Sequence, residues 1–150
     1  MWLTVANRGT VYKLTLLDKT TDVNGKVIKE YEPEVTNTID DISDNTWNLL
    51  HQGMIAMVQD MSQFNGMEIS MAGKTGTAQQ SEIHPDHVLF VGFAPAENPE
   101  IAVAVRIANG YSSAYTAEIG RDIVKSYYKI SDSDKLVTGR QHSLALLQRD

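Results

Sequence analysis

Residues 88–94, Val-Leu-Phe-Val-Gly-Phe-Ala, form an unbroken apolar run, and a second run, apolar except for Arg106, follows at residues 101–107 after the turn Pro95-Ala96-Glu97-Asn98-Pro99. Apolar runs this short, rich in β-branched and aromatic residues and bounded by proline and asparagine, read as buried strands rather than helices. Residues 67–78 read as a strand ahead of them, leading through Gln79 into a polar loop that lasts to Asp86. Three strands in a row then form an antiparallel meander, which Asn109-Gly110 closes. From about residue 113 to 129, Thr116, Ile119, Ile123, Val124 and Tyr127 fit a terminal helix placed to cover one sheet face. The expected fold class is α+β, an antiparallel sheet with packed helices.

The first half of the chain prepares that sheet. Residues 1–9 read as the last turns of a helix stopped by Gly9, as in a chain that begins mid-domain. Residues 10–17 favour strand, Asn24-Gly25 is a tight-turn signal and residues 26–31 alternate polar with apolar, so a hairpin is expected before Pro33. Ser43 is placed to cap a helix whose Trp47, Leu50, Met54, Met57, Val58 and Met61 recur every three or four residues. That stripe is core, and Met54, Met57, Met61, Met67 and Met71 are its adaptable filler. Asn65-Gly66 ends the helical region. Residues 131–150 read as a polar tail, with Leu144, Leu146 and Leu147 at most a short docked stub; residues 1–130 form the domain portion.

Composition removes several classes of function. The 150 residues contain no cysteine, which excludes a thiol nucleophile, a thiolate zinc site and a Cys-ligated iron–sulfur cluster. A net charge of -6 with no basic run argues against a nucleic-acid partner. The longest apolar stretch, residues 88–94, falls far short of the ~20 residues that cross a bilayer, so no membrane span is expected. A chain of this size removes roughly 68–70% of its unfolded surface from water, enough for a core without disulfides or metals.

The sharpest string is Gly73-Lys74-Thr75-Gly76-Thr77. A phosphate-binding loop would need a glycine five residues before Gly73, where Glu68 stands, and a helix after Thr77, where a polar loop and a strand follow. The string fits instead the Lys-Thr-Gly element of active-site serine enzymes that act on penicillins and cell-wall peptides. Its surroundings strengthen the fit: Met71-Ala72 before it, Thr77-Ala78-Gln79 after it, and Leu89-Phe90-Val91-Gly92-Phe93-Ala94-Pro95 further on. Together with residues 6–13, Gln52-Gly53-Met54, residues 98–103 and Asn109-Gly110, the segment closely resembles the C-terminal half of the transpeptidase domain of class B penicillin-binding proteins. The resemblance covers about residues 3–129.

That resemblance implies the C-terminal part of a penicillin-binding transpeptidase, or serine β-lactamase-like, fold. It implies as partners a peptidoglycan stem peptide ending in D-alanyl-D-alanine, β-lactams, and the upstream half of the same domain. It implies no cofactor and no metal, and a membrane-anchored parent working on the extracytoplasmic face of the bacterial cell membrane. By strand alternation Thr75 and Thr77 share a face, where the family's two hydroxyls grip the substrate or β-lactam carboxylate. Gly76, lacking Cβ, lets the ligand backbone approach. Lys74 brings positive charge, worth about 4 kcal/mol for a pair about 4 Å apart at an effective dielectric of about 20, before desolvation. The Thr77 N–H is implied as one oxyanion donor and the nucleophile's own N–H as the other. Lys74 and Thr77 are thus the expected catalytic residues, and Thr75, Gly76 and Thr77 the expected substrate-binding residues.

The family's Ser-x-x-Lys and Ser-x-Asn motifs precede its Lys-Thr-Gly strand by long stretches, and only 73 residues precede Lys74. Ser126-Tyr127-Tyr128-Lys129 has the first spelling, but it lies at a helix end where the dipole opposes an alkoxide. Ser43-Asp44-Asn45 has the second, but it reads as a helix cap. His84-Pro85-Asp86-His87 clusters metal-ligand types, but Pro85 blocks helical presentation and no cysteine or His-Glu partner is nearby. The expectation is therefore a part of a D,D-transpeptidase without its nucleophile, inactive alone. A serine β-lactamase, a D,D-carboxypeptidase and a non-catalytic β-lactam-sensing module remain the alternatives.

Overall fold

A computed structural model describes residues 2–80 and 82–130. Along the chain run α1 (Trp2–Ala6), β1 (Thr10–Tyr12), β2 (Lys19–Thr21), β3 (Val27–Glu30), β4 (Val35–Thr38), α2 (Asp44–Asp60), a single 3-10 turn (Ser62–Phe64), β5 (Ala72–Ala78), β6 (His87–Ala94), β7 (Ile101–Ile107) and α3 (Ser113–Tyr127). The α+β class is as expected. The tail expected at residues 131–150 lies outside the described residues.

β5, β6 and β7 are hydrogen-bonded neighbours in chain order. Their connections, residues 79–86 and 95–100, are shorter than the dozen or so residues that a parallel crossover takes, so the sheet is an antiparallel meander. Along β6, Val88, Phe90, Phe93 and Ala94 are all almost completely buried. Side chains from both faces of one strand are therefore enclosed, which is why the run shows no polar alternation. The strand expected from residue 67 starts only at Ala72. Gly66, at φ +71, turns the chain, and residues 67–71 run irregularly past the apolar cleft described below.

The described residues divide into two compact units. In the first, residues 1–74 and 91–102, α1 ends at Ala6 and the chain leaves through Arg8 and Gly9, both at positive φ. A Cβ on Gly9 would lie 2.8 Å from the Ile39 carbonyl oxygen, so glycine is required there by space as well as by φ. The segment that follows differs from the expected single hairpin. β1 pairs with β4, from Thr10 opposite Thr38, and β2 pairs with β3, from Lys19 opposite Glu30. The expected strand at residues 10–17 stops at Tyr12; among the described residues nothing covers Leu14, Leu16 and Leu17, which are exposed, and strand propensity without a packed face does not hold a strand. The turn expected at Asn24-Gly25 joins β2 to β3, with Gly25 at φ +85, and Asp22 organises it, its Oδ1 accepting the N–H groups of Asn24 and Lys26, each at 2.9 Å.

Ser43 caps α2 as expected, its Oγ accepting the Thr46 N–H at 3.2 Å. The buried stripe of α2 is Trp47, His51, Met54 and Val58. Leu50 is exposed, a correction to the expected stripe, because it falls on the flank of the face that Trp47 and Val58 centre. Met57 and Met61 are half-buried. Met54 joins Ala6, Ala72, Phe93 and Ala96 in one cluster. His51 sets its ring tilted against that of Phe93, centroids 5.1 Å apart, and donates Nε2–H to the Val5 carbonyl at 2.8 Å, tying α2 to α1.

Of the described residues, the second unit comprises 75–80, 82–90 and 103–130. Ser112 caps α3 by accepting the Ala114 N–H at 3.3 Å. Thr116, Ala117, Gly120 and Val124 form its buried face, whereas Ile119, Ile123 and Tyr127, expected inside, are exposed. The reason is the ring of Phe90. It lies so close to the helix that a Cβ on Gly120 would sit 2.5 Å from its Cδ1. Only small residues admit that approach, so the helix turns its larger side chains away.

Candidate functional site

Lys74, Thr75, Gly76 and Thr77 occupy the middle of β5. Within the described residues β5 is an edge strand, with β6 on one side and no strand on the other. Ala72 and Gly73 are buried, Lys74 is exposed, Thr75 and Gly76 are half-buried, and Thr77 and Ala78 are exposed. The strand thus emerges from the core at the start of the motif, anchored by its apolar entry. Strict alternation keeps Thr75 and Thr77 on one face and Lys74 and Gly76 on the other.

A Cβ placed on Gly76 would meet only the Leu89 side chain, at 3.7–3.8 Å, an ordinary contact. No positive φ is required of it either. Unlike Gly9 or Gly120, then, Gly76 answers to no steric demand from the described chain. A glycine in mid-strand costs roughly 0.5–1 kcal/mol relative to alanine. The chain carries that cost in the middle of a strand that, among the described residues, is an edge strand.

The other motifs singled out in the sequence each have a local arrangement of their own. Ser43 is fully accounted for as the α2 cap. Ser126 lies in the last turn of α3, where its carbonyl accepts the N–H of Lys129, itself beyond the helix at φ 56. No helical turn therefore presents the Lys129 ammonium to the Ser126 hydroxyl. Of the His84–His87 cluster, His84 is exposed and His87 is buried at the start of β6. Both ring nitrogens of His87 are engaged, Nδ1 by the backbone N–H of Asn109 at 3.1 Å and Nε2 by Gln80 Oε1, which leaves no lone pair for a metal. Among the described residues no group of three or more His, Cys, Asp or Glu side chains is placed to hold a metal ion.

Two features escaped the sequence. A cleft of about 200 Å³ in the first unit is lined by Ile55, Val58, Phe64, Met67 and Met71, with Ser70 and Glu97 among its polar lining. Ser70 Oγ donates to the Glu97 carboxylate and accepts the Ala96 N–H at 3.1 Å. The hydroxyl and Glu97's own backbone N–H hold this exposed carboxyl below the usual carboxylate range. The second is the pair of core histidines, His51 and His87, which carry polar anchoring inside apolar elements. A histidine on an apolar stripe at helical spacing was the available signal for His51.

Residues 1–125 match the family described as penicillin binding protein transpeptidase domain. Penicillin-binding protein 2B of Streptococcus pneumoniae serotype 4 is 32% identical over 121 residues, covering 70% of this chain and 17% of that protein. Penicillin-binding protein 2A of Bacillus subtilis is 30% identical over 159 aligned positions, covering 88% and 22%. Among solved structures, the D,D-transpeptidase domain of a peptidoglycan glycosyltransferase from Eggerthella lenta superposes with a TM-score of 0.70 at 27% identity, over 86% of this chain and 30% of that one. An imipenem acyl-enzyme complex of penicillin-binding protein A from Mycobacterium tuberculosis gives 0.72 at 27% identity, over 83% and 28%. The chain spans about a fifth of the length of these curated relatives. It belongs to the penicillin-binding protein transpeptidase family, in its class B branch.

Proposed function

We propose that this chain is the carboxylate-gripping portion of a peptidoglycan D,D-transpeptidase whose nucleophilic serine lies in an upstream part of the same domain. The observation that carries this is the open edge of β5, where Lys74, Thr75, Gly76 and Thr77 emerge from a buried anchor. An edge strand receives an extended peptide by backbone pairing, so a stem peptide ending in D-alanyl-D-alanine is held along β5. The hydroxyls of Thr75 and Thr77 donate to its terminal carboxylate, Lys74 supplies the countercharge, and Gly76 leaves room for the ligand backbone. The Thr77 N–H serves as one oxyanion donor.

In the reaction the serine Oγ attacks the carbonyl carbon of the penultimate D-alanine, its proton passing through a neighbouring base. The peptide C–N bond breaks and D-alanine leaves with a proton on its amine. The amine of a neighbouring stem then attacks the acyl-serine, the ester C–O bond breaks, and the serine recovers its proton. A β-lactam enters at the first step by opening its ring amide. The work takes place on the extracytoplasmic face of the membrane, where the cell wall lies. Among the described residues no helix is long and apolar enough to cross a bilayer.

Intact mass spectrometry tests the proposal. The 150-residue chain incubated with a penicillin is expected to gain no covalent mass, whereas the protein extended upstream gains one penicillin. Replacing both Thr75 and Thr77 by valine in the extended protein is expected to slow acylation, because both carboxylate hydrogen bonds vanish while shape is nearly kept. A stoichiometric adduct on Ser43 or Ser126 of the 150-residue chain would overturn the assignment.

A further inference from the structure

His87 stands out in β6 as a buried ring in an otherwise apolar strand. Its Nδ1 lies 3.1 Å from the backbone nitrogen of Asn109. A backbone N–H only donates, so Nδ1 is an acceptor and bears no proton. The ring proton therefore sits on Nε2, which donates to Gln80 Oε1. A single tautomer satisfies both partners, and the Asn109 amide selects it.

Those partners lie in two different loops. Asn109 begins a turn in which Asn109 and Tyr111 both have positive φ, at 52° and 60°. Gly110 between them donates its N–H to the Asp86 carbonyl at 3.0 Å, and a Cβ on Gly110 would sit 2.3 Å from Val88 Cγ2. The turn is therefore seated tightly on the start of β6. Gln80, by contrast, is exposed and lies just beyond Ala78, where β5 ends and the chain enters the loop to Asp86. His87 is the link from the seated turn to the exit of β5.

We propose that His87 is a positioning residue for acyl transfer: through Nε2–H to Gln80 it holds the C-terminal end of β5, and with it the Thr77 backbone N–H, in register with the reacting carbonyl. The inference rests on the transpeptidase function proposed above. Oxyanion donors act only within a few tenths of an ångström of their best position, and a strand end leading into an exposed loop needs an external anchor to keep that register. His87 itself touches no reacting atom.

The test uses the full-length protein and penicillin acylation kinetics, separating the limiting acylation rate from the apparent dissociation constant. Gln80→Ala removes the acceptor at an exposed position where water can take over part of the Nε2–H bond, so its unfolding midpoint is expected to fall less than that of His87→Gln while the limiting rate falls roughly tenfold. His87→Asn keeps an acceptor for Asn109 but is too short for Gln80, and is expected to share the loss. His87→Gln keeps a donor for Gln80 and is expected to recover most of the rate, with a lower unfolding midpoint from the orphaned Asn109 amide. Nitrogen chemical shifts of His87 in the 150-residue chain are expected to show a bare Nδ1 and a protonated Nε2. An Nδ1–H tautomer, or a normal limiting rate in Gln80→Ala, overturns the inference alone. Absence of acylation in the unaltered protein overturns the proposed function, and the inference with it.

Discussion

Gly53 and Gly120 both lie in helix interiors, yet alanine is expected to act on them with opposite sign. In either helix, replacing glycine by alanine recovers roughly 0.5–1 kcal/mol of backbone entropy. At Gly53, in α2, a Cβ meets nothing within 4 Å, so the whole gain survives. At Gly120, in α3, the new carbon would sit 2.5 and 2.6 Å from Cδ1 and Cε1 of Phe90. Phe90 is fully buried, so the ring has no solvent into which to swing. Forcing an extra methyl into such a site costs about 1–3 kcal/mol, which outweighs the entropy gain and leaves Gly120→Ala destabilised by about 1–2 kcal/mol. Urea unfolding followed by circular dichroism reads both. With a slope of about 2 kcal/mol per molar, Gly53→Ala is expected to raise the midpoint by roughly 0.3–0.5 M and Gly120→Ala to lower it by roughly 0.5–1 M. Trimming the ring by Phe90→Leu is expected to abolish the penalty at Gly120 in a double-mutant cycle. A stabilised Gly120→Ala, or a penalty that persists beside Leu at position 90, refutes the close helix–ring contact.

Ser43→Ala removes the α2 cap and is expected to cost about 1 kcal/mol in unfolding free energy, with no change in penicillin acylation of the full-length protein. A loss of acylation at unchanged stability would return Ser43 to the catalytic candidates. His51→Leu keeps the bulk beside Phe93 but leaves the Val5 carbonyl without its donor, with an expected loss of about 1–3 kcal/mol; an unchanged urea midpoint argues against that bond. Glu97 is held below the usual carboxylate range first by the Ser70 hydroxyl and then by its own backbone N–H. A lowered folded-state pKa contributes stability that is present above the ordinary carboxylate pKa and is lost as pH falls through the folded value. Glu97→Gln is therefore expected to remove a small part of the acid-side decline in midpoint below about pH 4.5, small because the group is exposed and screened.

The sheet was legible because its cause is local. Two apolar runs with a proline-bounded turn leave little choice of element or order, and the buried entry Ala72-Gly73 of β5 is continuous with the motif it presents. Ser43 was legible for the same reason, since a cap acts on the helix it begins. What could not be seen depends on partners distant in sequence. Residues 10–17 have the composition of a strand, but whether a strand forms depends on a surface to cover it, and Leu16 finds none. The face of α3 was misjudged because hydrophobicity ranks Ile119 and Ile123 above Gly120, while the ring of Phe90 selects for smallness. The candidate site residues were visible as a string. The engagement of His87 by both Gln80 and Asn109 was not, since it joins residues from three separate segments.

An edge that welcomes a guest peptide also welcomes its own kind. β5 presents one flank to the same pairing chemistry that builds fibrils, and proteins commonly guard such flanks with charge or with residues that pair poorly. Lys74, exposed in mid-strand, and Gly76, which favours strand least, are such guards. The motif proposed to receive a carboxylated ligand thus also makes the strand a poor template for another copy of itself. Replacing Lys74 and Gly76 by valine would turn this edge into a sticky one, so under the proposed function solubility and ligand capture make demands on the same two positions.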